Sequence, residues 1–240
     1  MLPDNLISTK RIFKLLLVDD DTVTNRVLSV FLKKEKFKVF SAFSGVEAFN
    51  FLDKENIDIV LLDVMMPNMD GLTVLSHLRE KYNTPVLILT SLSGHDVIEQ
   101  AFLNGADDYI VKPFSPPQLL ERIEVLLKLI PPGDNSTVYS SGDVKLLPNK
   151  QQFQVGEKVG NLSVIETRLL QHFVKNPDTM VPIEDLLRVG WSREEKYTVQ
   201  EKEMLKLAIN HLREKMEPDI DNPVYLPRVN GDGYIFHPVK

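Results

Sequence analysis

Short apolar runs bounded by polar residues recur through the first half of the chain, at 15–18 (LLLV), 59–62 (IVLL), 86–89 (VLIL) and 109–111 (YIV), with a weaker one at 37–42 (FKVFSA). Amphipathic stretches of helical period lie between and after them, at about 24–35, 45–53, 71–82, 95–104 and 116–129. Runs this short, apolar at nearly every position, suit strands covered on both faces. Strands alternating with helices predict an α/β domain with a five-stranded, doubly wound parallel sheet of flavodoxin-like type. Beyond residue 130 the texture changes. Two prolines and a glycine in 131–136 neither continue a helix nor bury side chains, so they predict a linker between a first domain, 1–130, and a second, 137–240. The second domain reads as α+β. Short strand-like pieces fill 137–162, helices lie near 163–175, 182–190 and 200–216, and a hairpin joins 225–229 to 233–237 through Asn230-Gly231.

Composition removes whole classes of function. The chain has no cysteine, which excludes disulfides, thiolate metal sites and cysteine nucleophiles. Its apolar runs fall far short of the ~20 residues that span a bilayer, and its first ten residues lack the apolar core of a signal peptide. A cytoplasmic protein with no membrane association is expected. A net charge of −6 gives no global signature of nucleic-acid binding.

In a parallel α/β sheet, ligands bind just beyond the carboxyl ends of the strands. Asp19, Asp20 and Asp21 follow the first run, Asp63 the third, Thr90 and Ser91 the fourth, and Lys112-Pro113 the fifth. Singly, each has an ordinary reading as a cap, turn former or surface residue. Together they deliver acids, a hydroxyl and an amine to one edge. Crowded carboxylates repel unless a hard cation neutralises them, and an all-oxygen set suits Mg²⁺. A lysine and a hydroxyl beside that cation would hold phosphoryl oxygens.

The segments LLLVDDD (15–21), VLLDVMMPNMDG (60–71), VLILTS (86–91) and GADDYIVKPF (105–114) resemble the receiver domain of two-component response regulators, over roughly 12–130. The resemblance implies that Asp63 is the phosphoacceptor, taking a phosphoryl group from the phosphohistidine of a sensor histidine kinase. It implies that Mg²⁺ is held by Asp20, by Asp19 through water, by Asp63 and by the Met65 carbonyl. Thr90 would bond the phosphoryl group, Lys112 would neutralise it, Tyr109 would change rotamer with Thr90 as a switch, and the Lys112–Pro113 bond would be cis. Such a domain is no enzyme toward other substrates, catalysing only its own phosphoryl transfer and autodephosphorylation. Met65 and Leu92 occupy the positions that tune phosphate lifetime; both are apolar here, so hydrolysis is expected to be slow.

A competing reading exists. Asp19-Asp20-Asp21-Thr22-Val23 also fits the DxDx(T/V) signature of haloacid dehalogenase-type phosphatases, with Asp19 as nucleophile and Asp21 as acid. Against it, Lys112 follows Asp107-Asp108 rather than preceding them, and Asp63 would have no task.

In the transcription-factor subfamily of receivers, residues equivalent to 92–124 form a symmetric dimer joined by three ion pairs. By that resemblance Asp108 and Arg122 retain one pair. The other two fall on Ile98 with Gln118 and on Leu103 with Glu124, which cannot pair. A phosphorylation-dependent homodimer held mainly by apolar contact at Ile98, Phe102 and Leu103 is expected.

Residues 137–238 resemble the winged-helix output domain of the OmpR/PhoB subfamily, through LSVIETRLL at 162–170, AINHLREKM at 208–216 and RVNGDGYIF at 228–236. The resemblance makes 200–216 the recognition helix and the final hairpin the wing, and implies transcriptional regulation through DNA. DNA contact is expected at Lys206, Asn210, His211, Arg213 and Arg228, with Asn210 suited to adenine. Yet 137–240 carries 14 basic against 15 acidic residues, a net of −1. Asn210 and His211 stand where the family commonly has arginines, and the wing lacks its arginine-glycine turn. A winged helix that binds a protein partner is the alternative that this charge balance leaves open. Trp191, placed in the loop before the recognition helix, reads equally as a core plug or as a polymerase contact.

Overall fold

The computed structural model describes residues 11–66, 71–91, 95–129, 137–192, 197–229 and 233–239. The chain divides into two compact units, Met1–Leu127 and Lys128–Lys240. The expected linker, 131–136, and the Asn230-Gly231 turn lie outside the described residues. No helix among the described residues is long and apolar enough to cross a membrane.

In the first unit five strands alternate with five helices: β1 (Lys14–Val18), α1 (Thr22–Lys34), β2 (Lys38–Ala42), α2 (Gly45–Lys54), β3 (Ile59–Asp63), α3 (Gly71–Lys81), β4 (Val86–Thr90), α4 (His95–Leu103), β5 (Asp108–Val111) and α5 (Pro116–Leu129). The strands pair in parallel in the order β2-β1-β3-β4-β5. Every residue of β3 and β4 is buried, as the unbroken apolar runs required of strands with helices on both faces. The order reverses direction between β1 and β3, so their carboxyl ends bound the crevice where such folds bind ligands.

Local chemistry fixes the elements around that crevice. Asp21 caps α1, accepting from the Val23 amide (3.0 Å) and the Thr24 hydroxyl (2.7 Å). Gly71 opens α3 against the end of β3. A Cβ there would fall 2.2 Å from the Asp63 carbonyl oxygen, so only glycine lets this helix approach the strand. Asp107, fully buried, accepts from Arg79 (2.7 Å) and the Val86 amide (2.9 Å), which anchors the entry to β5.

The second unit opens with an antiparallel sheet, β6 (Tyr139–Ser141), β7 (Val144–Leu147), β8 (Gln152–Val155) and β9 (Lys158–Asn161), in chain order. Helices α6 (Val164–Lys175), α7 (Ile183–Trp191) and α8 (Val199–Met216) follow. Capping boxes start α6 (Ser163 with Glu166) and α8 (Thr198 with Glu201). The expected hairpin is present as β11 (Arg228–Val229) and β12 (Gly233–Tyr234). It gains a third strand that the sequence did not announce, β10 (Val181–Pro182), paired with β12. Leu205, Leu207, Ile209 and Leu212 of α8 are buried. Trp191 closes α7 rather than sitting in a loop, and at 3% exposure it is a core residue. Three helices and a terminal three-stranded sheet make this unit a winged helix.

Candidate phosphoacceptor site and recognition helix

The strand-end residues converge as the topology requires. Lys112 reaches back from the end of β5 and donates to Asp63 (2.6 Å) and Asp19 (3.0 Å). Asp63 accepts at its other oxygen from the Met65 amide (3.0 Å), and Asp19 from the Asp21 amide (2.9 Å). Asp19 and Asp63 are buried, whereas Asp20 is half-exposed. Asp19, Asp20 and Asp63 each offer an oxygen within 4.8 Å of the others. Burial raises the Asp19 carboxyl above its ordinary range, against the opposing pull of Lys112. For Lys112, burial works against the charge, but bonding to Asp63 and Asp19 outweighs it and the ammonium is held above its ordinary value. A donor set of carboxylate oxygens, without nitrogen or sulfur, fits a hard divalent cation such as Mg²⁺.

Thr90 is buried at the end of β4, and its carbonyl accepts from the Lys112 amide (2.7 Å), which ties the hydroxyl-bearing strand to the lysine-bearing one. The Lys112–Pro113 bond is cis. Tyr109 is half-buried, its ring edge-on to Phe102 at 6.0 Å. Asp21 uses both oxygens to cap α1. Asn25 escaped the sequence reading. Its amide donates to the carbonyls of Asp19 and Ala42 (3.1 Å each), clasping the ends of β1 and β2. A polar residue on the inner face of α1 was the available signal.

The expected dimer residues divide. Phe102 is buried at 4% exposure against Tyr109, so it is committed to the core of its own unit rather than to a partner. Ile98 is half-buried and Leu103 is 39% exposed. Asp108 and Arg122 bond within the chain (2.9 Å). Leu92 lies outside the described residues, and Met65 is 53% exposed.

The recognition helix also departs from expectation. Lys202, Lys206 and Asn210 line the outer face of α8 at helical spacing, Lys202 facing Glu184 (3.7 Å) and Lys206 facing Glu203 (3.3 Å). Arg228 is exposed on β11. His211, expected among the base-reading residues, is buried 3.6 Å from Glu166, a carboxylate that accepts from Lys215 (2.6 Å). Arg213, expected beside it, donates through Nε and Nη2 to the Leu226 carbonyl (3.0 and 2.8 Å) and lies over the Tyr234 ring. Both side chains are therefore turned into the unit. The sequence reading also missed Glu217, whose buried carboxylate accepts from the amides of Val224, Tyr225 and Leu226.

A parallel sheet bearing this acid–lysine crevice, followed by a winged helix, defines a response regulator. The sequence matches the response regulator receiver domain over residues 15–124 and the C-terminal domain of transcriptional regulatory proteins over 156–236. It is 32% identical over 227 residues to regulatory protein VanR of Enterococcus faecium, spanning 92% of this chain and 97% of that protein. It is 31% identical over 228 residues to the DNA-binding dual master transcriptional regulator RpaA of a Synechocystis strain, spanning 92% and 93%. The crystal structure of DrrB, an OmpR/PhoB homologue from Thermotoga maritima, matches with a TM-score of 0.50 at 28% identity, over 95% of this chain and all of that one. The chain belongs to the OmpR/PhoB family of two-component response regulators, joining a receiver to a DNA-binding, transcription-regulating winged helix.

Proposed function

We propose that Asp63 is the phosphoacceptor, and that its phosphorylation by a sensor histidine kinase controls how the winged helix engages DNA. The observation that carries this is the Lys112 ammonium bonded at once to Asp63 and Asp19 in a crevice that also holds Asp20. An Asp63 oxygen attacks phosphorus, the phosphorus–nitrogen bond of the phosphohistidine breaks, and the electron pair leaves with the imidazole, which keeps or regains its proton. Lys112 offsets the charge of the incoming phosphoryl oxygens, and Thr90, one strand away, donates its hydroxyl to one of them. Mg²⁺, held by Asp20, Asp63, the Met65 carbonyl and Asp19 through water, would supply the remaining positive charge at those oxygens.

Engagement of the phosphoryl group by Thr90 draws Tyr109 into the switch, and the receiver then pairs with a second copy through the face carrying Ile98, Leu103 and Arg122. Lys206, Asn210 and Arg228 meet DNA. The protein works in the cytoplasm, and Met65 gives attacking water no polar group, so the phosphoryl group is lost slowly. Incubation with acetyl phosphate and Mg²⁺ should add one phosphoryl mass to the chain and none to Asp63→Asn. Anisotropy on genomic DNA fragments should show binding that strengthens with beryllofluoride and weakens with salt. Binding no better than non-specific in both states would turn the second unit into a protein-binding module.

A further inference from the structure

Four lysines, Lys33, Lys34, Lys36 and Lys38, fall within six residues where α1 turns into β2. All four are exposed, and the amides of Lys36 and Phe37 donate back to the carbonyls of Lys33 and Leu32 (3.1 Å each), which holds the turn compact. The helix dipole accounts for Lys33 and Lys34 in the last turn of α1, but Lys36 and Lys38 lie beyond the helix. Among the described residues, none of the four has a carboxylate within ion-pair distance. The acids nearby are committed elsewhere, Asp58 to Arg11 and the Lys14 amide, and Glu55 to the Lys14 ammonium (2.7 Å). Phe37, the one apolar side chain in the turn, is buried. The patch therefore offers charge without the exposed apolar anchor on which protein interfaces centre, and it suits a polyanion.

The winged helix is short of the same charge. Residues 137–240 carry 14 basic against 15 acidic side chains. On α8, Lys202 faces Glu184, Lys206 faces Glu203, and Arg213 is held by the Leu226 carbonyl. The lysine turn, in contrast, stands on the edge of the receiver from which the output unit is tethered. In a parallel sheet each helix runs back from the carboxyl end of one strand, so the end of α1 lies at the amino edge, opposite Asp63. Helix α5, buried along its length at Leu119, Ile123 and Leu126, runs back from β5 in the same way and ends at that same edge. We infer that Lys33, Lys34, Lys36 and Lys38 form a second contact with DNA, taking backbone phosphates that flank the sequence read by the winged helix. The turn supplies the sequence-independent attraction that the output unit lacks. The inference goes beyond the DNA-binding function proposed above and rests on it.

The test is binding of the full chain, with beryllofluoride and Mg²⁺, to two duplexes carrying one site selected from a random pool. One duplex is cut to the bases that selection fixes, and the other extends it by about two helical turns, ~20 base pairs, on each side. Replacing all four lysines with glutamine should lower the slope of log affinity against log salt by about 3–4 per bound chain on the long duplex. Between about 50 and 200 mM salt, wild type should then lose about a hundredfold more affinity than the variant. On the trimmed duplex the two proteins should bind alike. Urea denaturation and labelling by acetyl phosphate should match wild type, because the substituted side chains are exposed and lie at the edge opposite Asp63. If the variant fails either control, the double variant Lys36→Gln with Lys38→Gln, which leaves α1 untouched, decides, and it should lose about half as much slope. Equal salt slopes on the long duplex overturn the inference while DNA binding stands. A deficit equal on both duplexes also overturns it, because the lysines would then act through something other than flanking phosphates. If wild type binds neither duplex beyond the non-specific level, the DNA-binding function falls and this inference falls with it.

Discussion

The ammonium of Lys112 lies 2.6 Å from Asp63 and bonds Asp19 with its same nitrogen, so one cation serves two buried carboxylates. Its removal should strike chemistry harder than fold. Replacing Lys112 with methionine leaves the phosphoryl oxygens without their protein-borne counter-charge. We expect phosphorylation of Asp63 by acetyl phosphate to slow by about a hundredfold, the scale of losing one pre-aimed charge-stabilising donor. Asp63→Asn should abolish it. Rates followed by intact-protein mass against time separate the two, and a Lys112→Met rate equal to wild type would remove the lysine from the mechanism.

Cation binding should be visible without any phosphodonor. Three carboxylates within reach of one ion repel in its absence, so binding to the folded state alone stabilises it by mass action. At free Mg²⁺ about a hundred times its dissociation constant, the gain is about 2.7 kcal/mol. Urea denaturation followed with and without Mg²⁺ should show it. Asp20→Asn, which removes the half-exposed ligand and leaves both partners of Lys112 in place, should lose most of the gain. An equal gain in Asp20→Asn would place the ion elsewhere.

Asp108 makes a prediction of opposite sign to that usual for a carboxylate in an ion pair. It is fully buried, and desolvation raises its pKa above the ordinary 3.8 despite the Arg122 guanidinium beside it. The folded state therefore holds this proton to higher pH than the unfolded chain does. The stability that follows is complete below 3.8 and is lost as pH rises through the folded value. An asparagine in its place would carry no such titration and could still accept from the Tyr109 amide. The stability of Asp108→Asn relative to wild type should accordingly climb as pH is raised from 3.8 to neutrality, measured by urea denaturation across that range. A flat difference would mean that Arg122 fully offsets the burial.

The receiver was legible because strands buried on both faces admit only apolar side chains, so a polar residue after each run marks a strand end. Asp19, Asp63, Thr90 and Lys112 announce themselves in that way, and the parallel topology does the rest. The output unit is less legible, for two physical reasons. Val181–Pro182 is only two residues long, too short to carry a period, and is a strand solely because β12 lies beside it. On α8, Met204, Leu205, Leu207, Ala208, Ile209, His211 and Leu212 are all buried, so the middle of the helix is enclosed around most of its circumference. An apolar stripe cannot then say which polar residue faces out. Sequence reasoning puts His211 in the groove, whereas it belongs against Glu166; it gives Arg213 to DNA, whereas the guanidinium belongs to the carbonyl of Leu226.

That reassignment separates the residues of α8 that hold the wing from those proposed to meet DNA, and substitutions should tell the two groups apart. Glu217 accepts the amides of Val224 (2.8 Å), Tyr225 (2.9 Å) and Leu226 (2.7 Å) just past the helix, while Arg213 grips the carbonyl of the same Leu226. The segment leading to β11 is thereby clamped from both sides. Glu217→Ala would leave buried amides with no acceptor, at about 1–3 kcal/mol each where water cannot enter, so a total loss of about 3–5 kcal/mol is expected. Glu217→Gln, which keeps one accepting oxygen, should lose about half as much. Lys206 is exposed and, among the described residues, meets only Glu203. Lys206→Ala should leave urea denaturation unchanged, lower DNA affinity uniformly across sequences and reduce the salt slope of binding by about one. If Lys206→Ala unfolds the unit, or Glu217→Ala weakens DNA binding with stability intact, the division fails.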